Sequence, residues 1–448
     1  MIIEFSVTNF GSIKDRQTLS FEATKDNTLS QYYIVEPIPK LRLLKLAMIF
    51  GPNASGKSTV LKALEFLRDL ILKPAQNKAD TLTFQPFLLD DDSKNAPSTI
   101  ELLFVQEGVK YRYMIQFNPK YILSESLEFS PKGREANFFM RKTNVENQTV
   151  DIEYGSLVEI DNKNRYKIET STLWNSSVLG NFSKANIDFD ALKKVYNWFE
   201  GYLMPMISPE KDLSNTLMAS LEKNLFDATI EKISASPKIK SEVIQLMKYA
   251  DIQIENIEIT KKDFELNDNQ LKLLRGLPDM PKSLQNKLNN SDGKMKLIDL
   301  LFNHIGKDKN GKKVLIPLKQ EQESQGTLRY FSLGGVFATL MTESKGVSID
   351  EFESSLHPDL AQNLLMRFLV QSQNAQLLLT THNIDFLGEQ DVIRKDTIWF
   401  TQKNKNGATE LYSAADFDTS VVRKSSSLLN VYQTGKLGAK PNLGSIFS

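Results

Sequence analysis

One stretch, LAMIFGPNASGKSTVLKALEFLRDLIL at residues 46–72, restricts the fold more than any other part of the chain. Residues 46–50 are an apolar run of strand length, and a loop with two glycines follows. Beyond the loop, apolar residues recur at the spacing of one helix face. They are Val60, Leu61, Leu64, Leu67 and Ile71. The order strand, glycine loop, helix predicts an α/β fold.

The loop itself fits a phosphate-binding pattern. Gly51, Gly56, Lys57 and Ser58 satisfy G-x-x-x-x-G-K-[ST]. Glycines let successive backbone N–H groups point at phosphate oxygens, and the N-terminus of the helix adds a positive partial charge. We therefore predict a site for ATP and Mg²⁺, with Lys57 on the β- and γ-phosphates and the Ser58 hydroxyl on the metal. The residues predicted to contact the nucleotide are Gly51, Pro52, Asn53, Ala54, Ser55, Gly56, Lys57, Ser58 and Thr59.

Two adjacent carboxylates, Asp350 and Glu351, end a short β-branched run in VSIDEFESSLHP, residues 347–358. An isolated Asp-Glu pair is usually a solvated turn. In a chain with a phosphate-binding loop, Asp350 is predicted to hold Mg²⁺, directly or through a water. Glu351 is predicted to polarise the attacking water, a role worth roughly 10²–10⁴ in rate.

Two further stretches refine this prediction. His382 follows an apolar strand in LLLTTHNIDFL, and we predict that it contacts the γ-phosphate as a switch histidine, although a structural histidine is the plainer alternative. Ser324 and Gly326, in ESQGT, precede an apolar helix. Such a turn is either an ordinary helix cap or an anion site, and its place ahead of Asp350 matches a signature motif.

Composition excludes several classes of protein. Lys plus Arg and Asp plus Glu are each 55, so the formal net charge is zero and does not indicate a nucleic-acid or membrane partner. The absence of cysteine excludes disulfides and Cys-ligated zinc. No apolar run approaches the roughly 18 residues of a membrane span, and MIIEF is unlike a signal peptide. We expect a cytoplasmic protein.

Patterning along the chain predicts three parts. Residues 1–185 hold the loop and, between 100 and 129, alternating strands of an antiparallel β lobe. Residues 186–315 are patterned mostly as helices and form an insertion. Residues 316–448 are predicted to complete the domain that holds the glycine loop. They contain the signature residues, the two carboxylates and His382. The lysine-rich stretch at 306–319 is predicted to be a hairpin turn, although it is also a candidate for contact with phosphate backbone.

Nine motifs together resemble the ABC-type ATPases of the SMC, RecF and OLD grouping. They are IEFSVTNFGSIKD, GPNASGKST, QPFLLD, VKYRYMIQF, ESQGTLRYF, DEFESSLHP, TTHNIDFL, IRKDTIWF and GKLGAKPNL. More narrowly, they resemble the bacterial "AAA family" ATPases of restriction and abortive-infection loci, such as the Rlo-type and PARIS-type. The resemblance implies an ABC-type head, with Ser324 and Gly326 as signature residues, Ser355 and His357 in the D-loop region, and Gln116 as a Q-loop candidate.

The resemblance further implies a function. Nucleotide would be sandwiched between two copies of the chain, in a homodimer or higher oligomer, and that state would control a separate effector, a nuclease, in defence against phage. Two alternatives remain open: a RecF- or SMC-like repair ATPase that binds DNA directly, and a scaffold that binds nucleotide without hydrolysing it. After His382 the chain has a short segment whose acidic residues are scattered, so we expect no nuclease domain there.

Overall fold

The computed structural model of the chain contains two compact units. It describes residues 1–131, 133–209, 225–250, 254–265, 294–389, 391–417 and 427–440. The first unit comprises Met1–Ile207, Glu343–Phe352 and Ser372–Ser448, and the second comprises Ser208–Thr342 and Glu353–Gln371. The division into three parts at residues 185 and 315 stays a prediction.

A five-stranded sheet forms the core of the first unit. Its strands, in spatial order, are β14 (Gly346–Ile349), β15 (Gln376–Thr380), β5 (Leu46–Phe50), β16 (Ile398–Lys403) and β17 (Thr409–Ser413). The first four are parallel, and β17 runs antiparallel to β16. Strands β14, β15 and β5 are buried along their whole length, which explains their apolar sequences. Because parallel strands end at the same edge, the residues after β5, β14 and β15 come together there.

A seven-stranded antiparallel sheet forms the β lobe of the first unit. In spatial order its strands are β10 (Thr149–Tyr154), β9 (Ala136–Asn144), β8 (Ile122–Ser130), β7 (Val109–Phe117), β6 (Ser98–Gln106), β1 (Ile2–Thr8) and β2 (Gln17–Ser20). The antiparallel strands predicted between residues 100 and 129 are confirmed as β6, β7 and β8. A separate pair consists of β3 (Ile34–Ile38) and β4 (Leu41–Leu44).

The helices of the first unit are mostly short. They are α1 (Ser30–Tyr33), α2 (Lys57–Leu72), α3 (Asp91–Asn95), α4 (Asn162–Ser171), α5 (Val178–Phe182), α6 (Asp190–Asn197), a π-helical turn (Trp198–Tyr202) and α11 (Leu428–Gln433). Helix α2 begins at the lysine of the glycine loop and buries the five apolar residues that its spacing predicted. That burial holds the helix N-terminus at the end of β5.

The second unit combines helices with a small sheet. Its helices are α7 (Leu225–Ala235), α8 (Pro237–Tyr249), α9 (Gln325–Thr342) and α10 (Pro358–Gln371), and its antiparallel strands are β11 (Ile254–Glu265), β12 (Lys294–Lys307) and β13 (Lys313–Lys319). Helix α9 packs against α7 and α8. The predicted lysine-rich hairpin is confirmed as the β12–β13 turn, where an Asp308 carboxylate oxygen accepts bonds from the backbone N–H groups of Asn310 and Lys312. Among the described helices, none is both long and apolar enough to cross a membrane.

Candidate functional site

The glycine loop occupies residues 51–56, between the end of β5 and the start of α2. Three of its residues have positive φ: Gly51 at 156°, Ala54 at 60° and Gly56 at 108°. A Cβ on Gly56 would lie 2.1 Å from Thr409 Oγ1, and one on Gly51 would lie 2.5 Å from the Thr401 carbonyl oxygen. Neither position has room for a side chain, so the glycines are required by close approach as well as by conformation.

Lys57 lies folded back over the loop. Its side chain is buried, with 6% of the residue exposed. The Nζ ammonium donates to the carbonyl oxygen of Gly51 at 2.8 Å and to that of Pro52 at 3.2 Å. The cation predicted to meet the β- and γ-phosphates therefore lies at the beginning of the loop.

Ser58 and Asp350 meet, although 292 positions separate them in the sequence. The Ser58 hydroxyl donates to Asp350 Oδ1 at 3.0 Å, and the Thr380 hydroxyl donates to the same oxygen at 2.5 Å. Asp350 is 7% exposed, and its backbone N–H donates to the carbonyl oxygen of Ile207 at 2.8 Å. The structure thus brings together the two residues that the sequence predicted as metal ligands.

Glu351 follows in a left-handed conformation, with φ of 46°, and its side chain is exposed. A non-glycine residue rarely adopts this conformation, and the cost is of the order of 1 kcal/mol. The backbone N–H of Glu351 donates to Thr380 Oγ1 at 2.9 Å, so one threonine fixes both carboxylate residues.

A pocket of 620 Å³ opens at the carboxyl ends of β15, β5 and β16, within the first unit. It is lined by Phe50, Gly51, Pro52, Asn53, Ser55, Thr381, His382, Ile384, Gln402, Lys403, Tyr432 and Lys440. The exposed side chain of His382 therefore lies in the same pocket as the start of the glycine loop. Ligands of open α/β sheets bind at this edge.

The comparison with known protein families agrees with this geometry. The family model described as "AAA domain, putative AbiEii toxin, Type IV TA system" matches residues 46–388. That span includes the glycine loop, both carboxylates and His382. The chain belongs to this AAA-domain family. The predicted α/β fold is confirmed as a P-loop ATPase head with an antiparallel β lobe.

Two solved structures are similar to the chain at low identity. The "Crystal structure of the SmcHead bound to the C-winged helix domain of ScpA" is 12% identical over 92% of this chain and 97% of that chain, with a TM-score of 0.41. The "SMC head domain from Thermotoga maritima" is 11% identical over 92% of this chain and 98% of that chain, with a TM-score of 0.36. No curated protein matches the chain.

The predicted signature and D-loop residues of this AAA-domain protein lie in the second unit. Ser324 caps α9, because its hydroxyl accepts a bond from the Thr327 N–H at 3.0 Å. A Cβ on Gly326 would lie 3.5 Å from the carbonyl oxygen of Ser355, so the predicted signature and D-loop residues are neighbours within the second unit. His357 is exposed, and its Nδ1 accepts a bond from the N–H of Asp359 at 3.3 Å.

Gln116, the Q-loop candidate, lies in β7, opposite Thr99 of β6 and Ser124 of β8. It is therefore the penultimate residue of a paired strand rather than part of a connecting loop. Its assignment stays a prediction.

A chain of hydroxyl groups holds the glycine loop, and the sequence did not predict it. Thr409 Oγ1 donates to the Ser55 carbonyl oxygen at 2.8 Å. Thr409 Oγ1 also bonds Ser12 Oγ at 2.8 Å, and Ser12 Oγ bonds Thr59 Oγ1 at 3.0 Å. On the other side, Ser55 Oγ bonds Thr401 Oγ1 at 2.6 Å. The N-terminal segment and the β16–β17 hairpin thus support the loop together.

We predict that Thr409→Val weakens nucleotide binding by about tenfold while the fold is kept. Valine preserves the shape, but it removes the hydroxyl that donates to the Ser55 carbonyl oxygen, at about 1–3 kcal/mol, and it leaves Ser12 with Thr59 as its hydroxyl partner. Isothermal titration with ATP measures the affinity. Thr339→Val is the matched control, since this buried threonine donates to Gly335 in the second unit. Equal nucleotide affinity in both variants would contradict the supporting role.

Proposed function

We propose that the chain binds and hydrolyses ATP. The observation that carries this proposal is the 3.0 Å contact between Ser58 and Asp350, next to a glycine loop with its lysine folded inward. Lys57 would leave the carbonyl oxygens of the loop for phosphate oxygens, which carry full negative charge and accept stronger bonds. Backbone N–H groups of the loop and the N-terminus of α2 would hold the remaining phosphate oxygens.

The residues fit a magnesium ion. Ser58 and Asp350 present a hydroxyl and a carboxylate oxygen at one point, and Mg²⁺ prefers oxygen ligands drawn from few protein groups. When bound, the ion would neutralise charge on the β- and γ-phosphates. Thr380 would keep Asp350 oriented, because its hydroxyl already donates to the carboxylate.

Glu351 and His382 would act at the γ-phosphate. Glu351 is exposed at the turn after Asp350, where its carboxylate would accept a proton from the attacking water. His382 lines the pocket at the start of the loop and would contact the γ-phosphate. Each residue stands at the end of a buried strand, so its backbone is fixed before nucleotide arrives.

The first prediction from the proposed function separates binding from chemistry. Lys57→Ala is expected to weaken ATP binding roughly ten- to hundredfold, because the phosphates lose a charged hydrogen bond. Glu351→Gln is expected to keep binding and to slow hydrolysis at least about a hundredfold, as for a lost general base. Titration calorimetry and phosphate release measure the two effects. Lys62→Ala, on the exposed face of α2, is the control. Unchanged turnover in Glu351→Gln would remove that residue from its role.

We further propose that two copies of the chain share each active site. The resemblance to ABC heads implies that Ser324 and Gly326 serve the γ-phosphate held by a neighbouring copy. Ser324 is exposed and caps the start of α9, and a helix N-terminus favours an anion. A lone copy would then bind ATP but lack half of the groups that act on it.

The second prediction tests this arrangement by mixing variants. Lys57→Ala and Gly326→Asp proteins are each expected to be inactive. In a mixed dimer one site carries both lesions and the other carries none, so an equal mixture should regain about a quarter of the wild-type turnover. Mixing Lys57→Ala with the double variant is the control, since every site is then damaged. No recovery in the first mixture would contradict sharing of active sites.

We also propose that this ATPase is a cytoplasmic switch in phage defence and that a separate effector, a nuclease, carries out the attack. The family description names a toxin of a type IV toxin–antitoxin system, which supports a defence role. Two of the acidic residues that the structure describes after His382 have structural partners. Asp396 pairs with Arg394 at 2.6 Å, and Asp416 accepts a bond from the backbone N–H of Ser413 at 3.0 Å.

The third prediction concerns the effector. The purified chain, incubated with ATP, Mg²⁺ or Mn²⁺, and DNA, tRNA or total RNA, is expected to cleave none of them. Gel electrophoresis of the nucleic acids measures the outcome, and Lys57→Ala protein is the matched control. Cleavage that persists in Lys57→Ala and follows the protein through purification would show that the chain is its own effector.

A further inference from the structure

The pocket beside the glycine loop carries more positive charge than the phosphate-binding pattern accounts for. Lys403 and Lys440 both line it, and none of its described lining residues is acidic. Neither lysine belongs to the glycine loop or to the carboxylate turn. Lys403 ends β16, and Lys440 lies beyond α11, near the end of the described chain.

Lys440 is held in place by a tightly built segment, residues 435–440, which we call the C-terminal strap. Gly435, Gly438 and Ala439 have φ of 78°, 66° and 52°, so the backbone turns repeatedly through the left-handed region. A Cβ on Gly438 would lie 2.6 Å from Gln402 Oε1 and equally close to the Tyr412 hydroxyl, which leaves glycine as the residue that fits. The strap therefore lies directly against β16 and β17.

Two tyrosine hydroxyls fix the strap at its backbone. Tyr412 donates to the Leu437 carbonyl oxygen at 2.8 Å, and Tyr432 donates to the Ala439 carbonyl oxygen at 2.8 Å. Leu437 and Ala439 are buried. The residue after these anchors is Lys440, and its Nζ donates to the Gln433 carbonyl oxygen at 2.7 Å. An ammonium has three protons, so this bond leaves capacity for an anion.

The start of the glycine loop opens into this pocket. Lys57 Nζ lies at the carbonyl oxygens of Gly51 and Pro52, and both residues line the pocket. His382 lines it as well. Because Lys57 is the loop cation for the β- and γ-phosphates, the terminal phosphate would lie on the side of Lys403 and Lys440.

We propose that Lys403 and Lys440 form an anion subsite for the terminal phosphate of a nucleoside triphosphate. The subsite would let the chain distinguish triphosphate from diphosphate through its C-terminal strap. This inference rests on the proposed ATP binding. It extends that proposal to two cations outside the glycine loop, one at the end of β16 and one in the C-terminal strap.

The test compares affinities of the full chain for ADP and for the β,γ-imido analogue of ATP, by isothermal titration with Mg²⁺ present. Lys440→Ala is expected to reduce the preference for the triphosphate by about tenfold, the loss of one charged hydrogen bond. Affinity for ADP should change by less than about twofold, since ADP has no phosphate at the subsite. Lys403→Ala should act in the same direction.

Two controls distinguish the charge from a structural role. Lys440→Arg keeps the charge and is expected to retain most of the preference. Lys405→Ala removes an exposed lysine of the β16–β17 turn outside the pocket and should leave the preference unchanged. Thermal unfolding of each variant reports whether the strap still folds. If Lys440→Arg lost the preference as fully as Lys440→Ala, the subsite would be wrong.

The outcomes distinguish a failure of the subsite from a failure of the proposed ATP binding. A wild-type preference that persists in both Lys403→Ala and Lys440→Ala would overturn the subsite and leave ATP binding intact. Equal affinity of the wild-type chain for the two nucleotides would also overturn the subsite and leave ATP binding intact. If the wild-type chain bound neither nucleotide, the proposed function and the subsite would both fall.

Discussion

The contact between the glycine loop and the β16–β17 hairpin is the constraint on which the site depends. Gly51 and Gly56 have no room for a Cβ, because Thr401 and Thr409 occupy that space. The same two threonines bond Ser55, so the loop is held by hydrogen bonds as well as by contact. A loop fixed in this way would lose little conformational freedom on binding a phosphate, and such preorganisation increases affinity.

The fold and the main residues of the candidate site were predictable where the signal is local in sequence. A buried strand, a glycine loop and a helix face lie within residues 46–72, and their pattern is complete without any distant partner. Asp350 was predictable because a strand end and an acidic pair are adjacent in sequence. Its contact with Ser58 followed from topology, since parallel strands end at one edge.

The rest depended on partners that no local pattern indicates. Ser12, Thr401 and Thr409 are ordinary hydroxyl residues in sequence, and only the folded chain brings them to the loop. Strands β11 and β12 lie within residues 186–315, whose patterning predicted mostly helices. Their structure is set by antiparallel pairing between segments that are separated in the sequence, and local patterning does not indicate such pairing. The strap was not predictable from local sequence either, because Gly438 is required by the side chains of Gln402 and Tyr412, which lie outside the strap.

Adjacent residues of β16 connect the glycine loop to the strap. Thr401 bonds Ser55 of the loop, and the next residue, Gln402, accepts bonds from Tyr412 at 3.3 Å and from the Ala439 N–H at 3.4 Å. Successive side chains of a strand point to opposite faces of the sheet, so β16 contacts the loop through Thr401 and the strap through Gln402. The loop cannot shift relative to β16 without breaking the first contact, and the strap cannot shift without breaking the second. The last described residues, 435–440, are therefore tied to the same strand that holds the glycine loop.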